Sequence, residues 1–460
     1  MRHVLRRAVV AAAVGSALLS GCTTSIDGTP SSRVTDVSDQ DLPITGADDS
    51  AEDRIARNAL VDLNTFWAQQ YPENFGEDFQ PLTGGYWSVD TDDIDYSLYP
   101  SDTGVGCDAL PIDPAEVEMN AFYQQDCDVI VYDKVLLRTE AEQFGPYIDA
   151  AILAHEFGHA MQGRFGFSEV TVRDETQADC FAGAFTRWVA DGNAEHTSVR
   201  VQDLDEVLKG FIALRDPVGY TGVDVEGAHG SGFDRVSGFY EGYSGGVASC
   251  RDDFGPDRVF TVSEFTDQTD LDNEGNAPYD QVPDIINGSL PVFYSGDWLS
   301  GFEQPTISTF DGTAPDCGDM GAENRDVGWC ADDDTVYVDE QDLLQPAYSD
   351  IGDFAVVTAV ALPYAEAARS SLGLSTDDAE ATESEVCLTG SYTAAFFNGD
   401  FSESTTLSPG DVDEAIIFLL TYGQTDSVLP NTGSTGFELV GAFRAGFLEG
   451  AGADACHLQD

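Results

Sequence analysis

Apolar residues along the chain fall into a few distinct spacings, and each predicts an element. From position 51 a 3.6-residue rhythm carries Ile55, Ala59, Leu63, Phe66 and Trp67 up to Pro72, which predicts an amphipathic helix opening the first folded segment. A second helical stripe, Ile148, Ile152, Leu153 and Phe157, follows Pro146 and meets a stop at Gly163. Between them, Gly84-Gly85 and an acidic run over residues 90–95 mark a loop-rich stretch. Residues 120–133 then read as strand: Phe122 and Tyr123, a turn near Cys127, and Val129-Ile130-Val131-Tyr132. Helices are expected over about 203–214 and 233–243, and a last apolar stripe holds Phe437, Val440, Phe443 and Phe447. Residues 23–50 carry Ser, Thr, Asp, Gly and Pro with almost no periodic apolar positions, which predicts that 22–50 is a flexible tether. The apolar run over residues 8–19, preceded by Arg2, Arg6 and Arg7, is too short for a mature membrane span and reads as an export signal over residues 1–21.

The order of landmarks then repeats. Residues 256–277 form an acidic linker containing Gly and Asn, after which Phe293-Tyr294 answers Phe66-Trp67, and Cys317 with Cys330 answers Cys107 with Cys127. Residues 354–369 fall on 147–162 at an offset of 207, and at that offset Cys387 falls on Cys180 and Gly390 on Gly183. Asp411, Asp413 and Glu414 answer Asp203, Asp205 and Glu206, and the stretch from Phe437 to Cys456 answers that from Phe233 to Cys250. An internal duplication is expected, with residues 278–460 as the second copy. Pro363 lies inside the helix that matches the second stripe and is expected to interrupt it.

Charge narrows the partners. With 83 acidic against 20 basic side chains the formal net charge is −63, and Lys134 and Lys209 are the only lysines. Such a surface repels nucleic acid and anionic membrane. Leu19-Ser20-Gly21-Cys22 resembles a lipobox, which implies cleavage before Cys22 and lipidation of its thiol. The eight remaining cysteines are an even number, read in an exported protein as disulfides. The duplication implies that they pair within each half: Cys107 with Cys127, Cys180 with Cys250, Cys317 with Cys330 and Cys387 with Cys456.

The candidate chemistry is concentrated in two short stretches. Residues 154–160 contain the pattern H-E-x-x-H, improbable by chance in a chain with six histidines. On a helix His155 and His159 project from one face about a turn apart, so both can bind one metal ion, and Glu156 beside them can act on a metal-bound water. Sixteen residues on, Glu175 and Asp179 are spaced by one helical turn. Glu175 would bind the metal, and Asp179 would hold the far ring nitrogen of a ligand histidine. His196 and His457 have no motif around them and are expected at the surface.

At these residues the chain resembles the bacterial neutral zinc metallopeptidase family, a gluzincin type of zinc peptidase. The matching stretches are AHEFGHAMQ, ETQADCFAGAF, NAFYQQDCDVIVYD and AHGSGFDRVSGFYEG, within roughly residues 55–250; Ala160 stands where the family usually shows a further histidine that is not a ligand. The resemblance implies an α+β fold. A gluzincin-like zinc peptidase domain, mostly helical with a small sheet, spans 51–255, and a degenerate repeat spans 278–460. It also implies one Zn2+ per chain on His155, His159 and Glu175, with Glu156 as general base and a polypeptide as substrate. Asn120-Ala121-Phe122 looks like the substrate-holding edge strand of thermolysin-type enzymes, or is a plain core strand. His229 is a candidate to stabilise the oxyanion, or a loop histidine capping the next helix. In the second copy Leu362, Pro363, Glu366, Thr382 and Val386 replace the zinc set, so no metal is expected there. The expected setting is extracytoplasmic, lipid-anchored to the membrane of a bacterium, with no nucleic-acid partner. The alternative is a non-catalytic envelope lipoprotein with a vestigial zinc site, against which an intact Glu156 argues.

Overall fold

Folded structure starts earlier than residue 51. The computed structural model describes residues 35–220, 222, 223, 225, 227–299, 301–401, 406–430, 433–450 and 456–458; the expected signal and Cys22 lie outside them. Ile44–Thr45 forms strand β1, the Val37 amide bonds Asn58, Arg57 pairs with Asp39, and Asp48 pairs with Lys134. Residues 35–50 are therefore not the free tether their composition predicts. A two-residue strand has no periodicity to read, and polar contacts do the fastening.

Ser50 caps helix α1, Ala51–Phe75, by accepting from the Asp53 amide. The helix runs through Pro72 and ends at Gly76, whose backbone is left-handed at φ 76°. Strand β2 (Gly85–Val89) leads into a hairpin, β3 (Val105–Cys107) with β4 (Leu110–Ile112), and then into β5 (Ala121–Gln124) and β6 (Val129–Asp133). The sheet order is β1-β2-β6-β5; β2 and β6 are parallel, β5 and β6 antiparallel, and β5 is the edge. Helices α2 (Lys134–Phe144), α3 (Tyr147–Phe165), α4 (Thr171–Ala190), α5 (Leu204–Ala213) and α6 (Gly232–Asp252) follow, α6 being broken at Gly246. Helix α3 is buried on nearly every side, with Ile148, Leu153, Phe157 and Met161 fully enclosed. Helices α4 and α6 touch through glycines: a Cβ at Gly183 would sit 1.9 Å from the Phe239 carbonyl oxygen, and one at Gly242 would sit 1.8 Å from that of Cys180.

The expected linker is also packed. Thr261 and Val262 donate their amides to Asp234, and a short helix α7 (Gln268–Asp272) lies within the segment. Then come α8 (Val282–Phe293), β7 (Thr306–Phe310), α9 (Gly318–Glu323), β8 (Val327–Cys330), β9 (Thr335–Asp339), α10 (Gln345–Asp350), α11 (Asp353–Ser371), α12 (Ala379–Phe397), α13 (Asp411–Tyr422) and α14 (Gly436–Glu449). The second sheet, β7-β9-β8, pairs β7 with β9 parallel and β8 with β9 antiparallel, the same senses as β2, β6 and β5. Helix α11 continues through Pro363, contrary to the expected interruption; the residue is buried among packed helices that hold the backbone in place. All four expected disulfides are present, and the fold is α+β with predominance of helix.

The described residues, all of which lie beyond position 34, pack as one unit rather than two separate halves. The reason is a reciprocal exchange of helix caps. Asp205 of α5 accepts from the Gly436 and Phe437 amides that open α14, at 3.1 and 2.7 Å. Asp413 of α13 accepts from the Gly232 and Phe233 amides that open α6, at 2.9 and 2.8 Å. Tyr240 stacks on Phe437, and Phe233 packs on Phe447, closing the seam with apolar area. No helix among the described residues is long and apolar enough to cross a membrane. The disulfides are compatible with an extracytoplasmic setting.

Candidate metal centre

Helix α3 carries His155, Glu156 and His159, and α4 carries Glu175 and Asp179. The two helices approach closely at Gly158, where a Cβ would meet the Ala178 Cα at 2.9 Å, so the α4 carboxylates reach the α3 imidazoles. The Nε2 atoms of His155 and His159 lie 3.1 Å apart; Glu175 Oε2 is 3.3 Å from the first and its Oε1 3.4 Å from the second. A tetrahedral ion at the usual zinc–nitrogen distance spaces its ligand atoms by about 3.4 Å. These three residues therefore fit one divalent ion of the zinc class, and they are one of two groups among the described residues whose ligand atoms converge in this way.

Both ring tautomers are set from behind. His155 Nδ1 donates to Asp179 Oδ1 at 2.7 Å, and Asp179 receives two further bonds from Arg235, at 3.0 and 2.9 Å. His159 Nδ1 donates to Gln162 Oε1 at 2.7 Å; the Gln162 amide donates in turn to the Asp174 carbonyl and to Gln177. Both Nε2 atoms are thus turned toward Glu175. Burial works against charge on His155, yet the carboxylates of Asp179, Glu175 and Glu156 outweigh it and push the imidazole up to about 10. Such a set of acceptors wants a cation. Burial tends to raise Asp179, but Arg235 and then His155 hold its carboxyl below the usual range.

Glu156 is buried, and its Oε2 accepts from the Tyr123 amide at 2.8 Å, leaving Oε1 4.0 Å from His155 Nε2. Burial is the chief reason its carboxyl is raised, opposed by both histidines. The Tyr123 contact joins edge strand β5 to the site. Alternate residues of an antiparallel edge strand turn their amide and carbonyl outward, so the Ala121 backbone faces the same side as Tyr123. Asn120 has an exposed side chain, and its carbonyl is taken by the Asp133 amide at 2.9 Å. His229 is half-exposed and bonds Asp216 through both its amide and its ring; none of its contacts among the described residues is with His155, Glu156, His159 or Glu175.

Sequence reasoning missed Tyr123, Gln162, Gln177 and Arg235. Each lies inside one of the motif stretches, and Arg235 beside Val236 and Phe239 on an apolar helix face was a readable signal for a buried charge partner. The matching positions of the second half hold no such set: Leu362, Pro363, Glu366 and Thr382 line a cavity of 260 Å3 with Glu385 and Trp329. There the Trp329 amide lies 3.4 Å from Glu366 Oε2, an echo of Tyr123 and Glu156 without the imidazoles.

No family model and no solved structure matches the chain. It is similar to an uncharacterized protein of Mycobacterium bovis and to uncharacterized proteins of two strains of Mycobacterium tuberculosis, each 28% identical over 184 residues. The match covers 34% of this chain and 61% of each relative, so the chain spans less than two thirds of the length of these curated relatives.

Proposed function

We propose that the protein is a zinc-dependent metallopeptidase that hydrolyses polypeptides. The observation that carries this reading is the convergence of His155 Nε2, His159 Nε2 and the Glu175 carboxylate within 3.4 Å, with Glu156 alongside. Bound there, zinc supplies a Lewis acid and an acidified water. Tyr123 holds Glu156 Oε2, so Oε1 is the oxygen left to take a proton and return it to the leaving amine. Burial raises that carboxyl, opposed by both histidines, which favours its holding a proton between the two transfers. The outward backbone of Ala121 and the carbonyl of Tyr123, whose amide is taken by Glu156, offer an extended peptide the edge of a strand. No step requires the His229 loop.

The second half is read as a degenerate copy without chemistry, supported by its matching sheet pairing, helix order and disulfides. Zinc content and cleavage of casein test both points. Wild type binds one zinc and cleaves, Glu156→Gln keeps zinc and loses turnover, and Glu366→Ala cleaves as wild type. A fully active Glu156→Gln protein overturns the mechanism. The setting proposed is the outer face of a bacterial membrane, anchored through Cys22; it is abandoned if Cys22→Ser leaves the protein in the membrane fraction.

A further inference from the structure

The second half contains a cluster outside the zinc chemistry. Asp353 opens α11, Asp411 and Glu414 lie a turn apart at the start of α13, and one oxygen of each lies within 4.8 Å of the others. All three residues are buried, Asp353 and Asp411 at 4% exposure. Backbone amides fix one oxygen of each carboxylate: Ala277 to Asp353 Oδ2 at 3.1 Å, Ser408 to Asp411 Oδ2 at 2.8 Å, and Phe354 to Glu414 Oε2 at 2.8 Å. The other oxygens of Asp353 and Asp411, both Oδ1, are buried with no hydrogen-bond partner. A fold tolerates an unpaired buried carboxylate oxygen only where something compensates it.

The first half shows what ordinary compensation looks like. Asp203 and Glu206, the counterparts of Asp411 and Glu414, lie 2.6 and 2.7 Å from Arg200 and Lys209, and Pro146 stands at the place of Asp353. Beside the second-half cluster the neighbouring arginine, Arg215 of the first half, is paired with Asp413 at 3.1 Å and also favours charge on Glu414, while Asp270 adds negative charge near both Asp353 and Asp411. Gly352 leaves room for the arrangement, since a Cβ there would lie 2.1 Å from Glu414 Oε1.

We propose that Asp353, Asp411 and Glu414 bind one hard divalent cation, calcium, which ties the start of α11 to the start of α13. Three carboxylates with no nitrogen or sulfur donor select an oxygen-seeking ion, and an irregular set favours calcium over magnesium, which demands near-ideal octahedral geometry. The competing state is a cluster held by shared protons, because burial first and then neighbouring carboxylates, Asp270 on Asp353 and Asp353 on the other two, raise all three carboxyls, Asp353 to about 6.

The site is independent of the zinc reading and is tested without it. In the full-length chain carrying His155→Ala and His159→Ala, stripped with chelator, calorimetric titration with CaCl2 at pH 7.5 is expected to show one site and a rise of several degrees in Tm, with MgCl2 weaker. Adding Asp411→Asn and Glu414→Gln should abolish both effects while the circular dichroism stays native. Should that protein not fold, Tb3+ luminescence in the chain without substitutions, displaced by CaCl2, gives the same answer. No calcium heat and an unchanged Tm in folded protein, calcium binding that survives Asp411→Asn with Glu414→Gln, or the absence of Ca2+-displaceable Tb3+ luminescence would each overturn the proposal.

Discussion

Replacing Arg235 by Met removes the guanidinium that donates to Asp179 at 3.0 and 2.9 Å and to the Leu214 carbonyl at 2.6 Å, while most of the side-chain volume on α6 is kept. Both Arg235 and Asp179 are buried, so the carboxylate left behind has only the His155 ring, 2.7 Å away. Breaking a buried ion pair from one side costs about 3–5 kcal/mol. In a folded unit of this size that lowers Tm by roughly 3–6 °C. The orphaned Asp179 also favours a second proton on His155, which occupies the Nε2 lone pair, so zinc affinity should fall about ten- to a hundredfold. Adding Asp179→Asn to Arg235→Met removes the buried charge and should restore stability but not zinc affinity. The assay is zinc competition against a chromophoric chelator at pH 7, with thermal melts of the zinc-free protein. Unchanged zinc affinity and Tm in Arg235→Met would refute the idea that the ligand set is held from behind by this chain.

Asp149, fully buried on α3 with neither carboxylate oxygen hydrogen-bonded, is pushed up to about 8 by burial and by Glu52 and Glu140. The folded chain then holds one more proton than the unfolded chain between about pH 4 and 8, so stability contributed by this group falls as pH rises through that window. Asp149→Asn should flatten the slope of urea midpoint against pH, and an identical slope in the variant would reject the shift. Asp205→Ala and Asp413→Ala each remove a cap supplied from the opposite half and should cost about 1–2 kcal/mol in urea unfolding. Losses within error of zero would mean that the halves are joined by the other contacts of the seam, the rings of Tyr240, Phe233, Phe437 and Phe447 and the bonds of Arg444 to Ser237 and Glu241.

Much of this protein is local and therefore legible along the chain. The α3 stripe, the β5–β6 hairpin and the one-turn spacing of His155 with His159 and of Glu175 with Asp179 follow from periods of 3.6 and 2, which act within a few residues. The cysteine pairs were legible for a different reason: the landmarks repeat, and a repeat carries its pairing with it. Elements whose support is distant were misread. Residues 35–50 have the composition of a tether, yet Ile44 finds β2 and Asp48 finds Lys134. Pro363 breaks a helix in isolation, whereas the packing around α11 keeps the helix continuous.

The sequence by itself determined which side chains could be ligands, because chemistry and helical spacing are written in adjacent positions. Only the tertiary structure decided what holds them. Arg235 comes to Asp179 from α6, 56 residues away, the Tyr123 amide comes to Glu156 from the sheet edge, and Asp205 and Asp413 cap helices 180 or more residues distant in the other half. Such contacts depend on where helices cross, and that is set by steric events no local pattern announces. At Gly158 the absence of a single Cβ lets α4 approach α3 closely enough for Glu175 to meet two imidazoles.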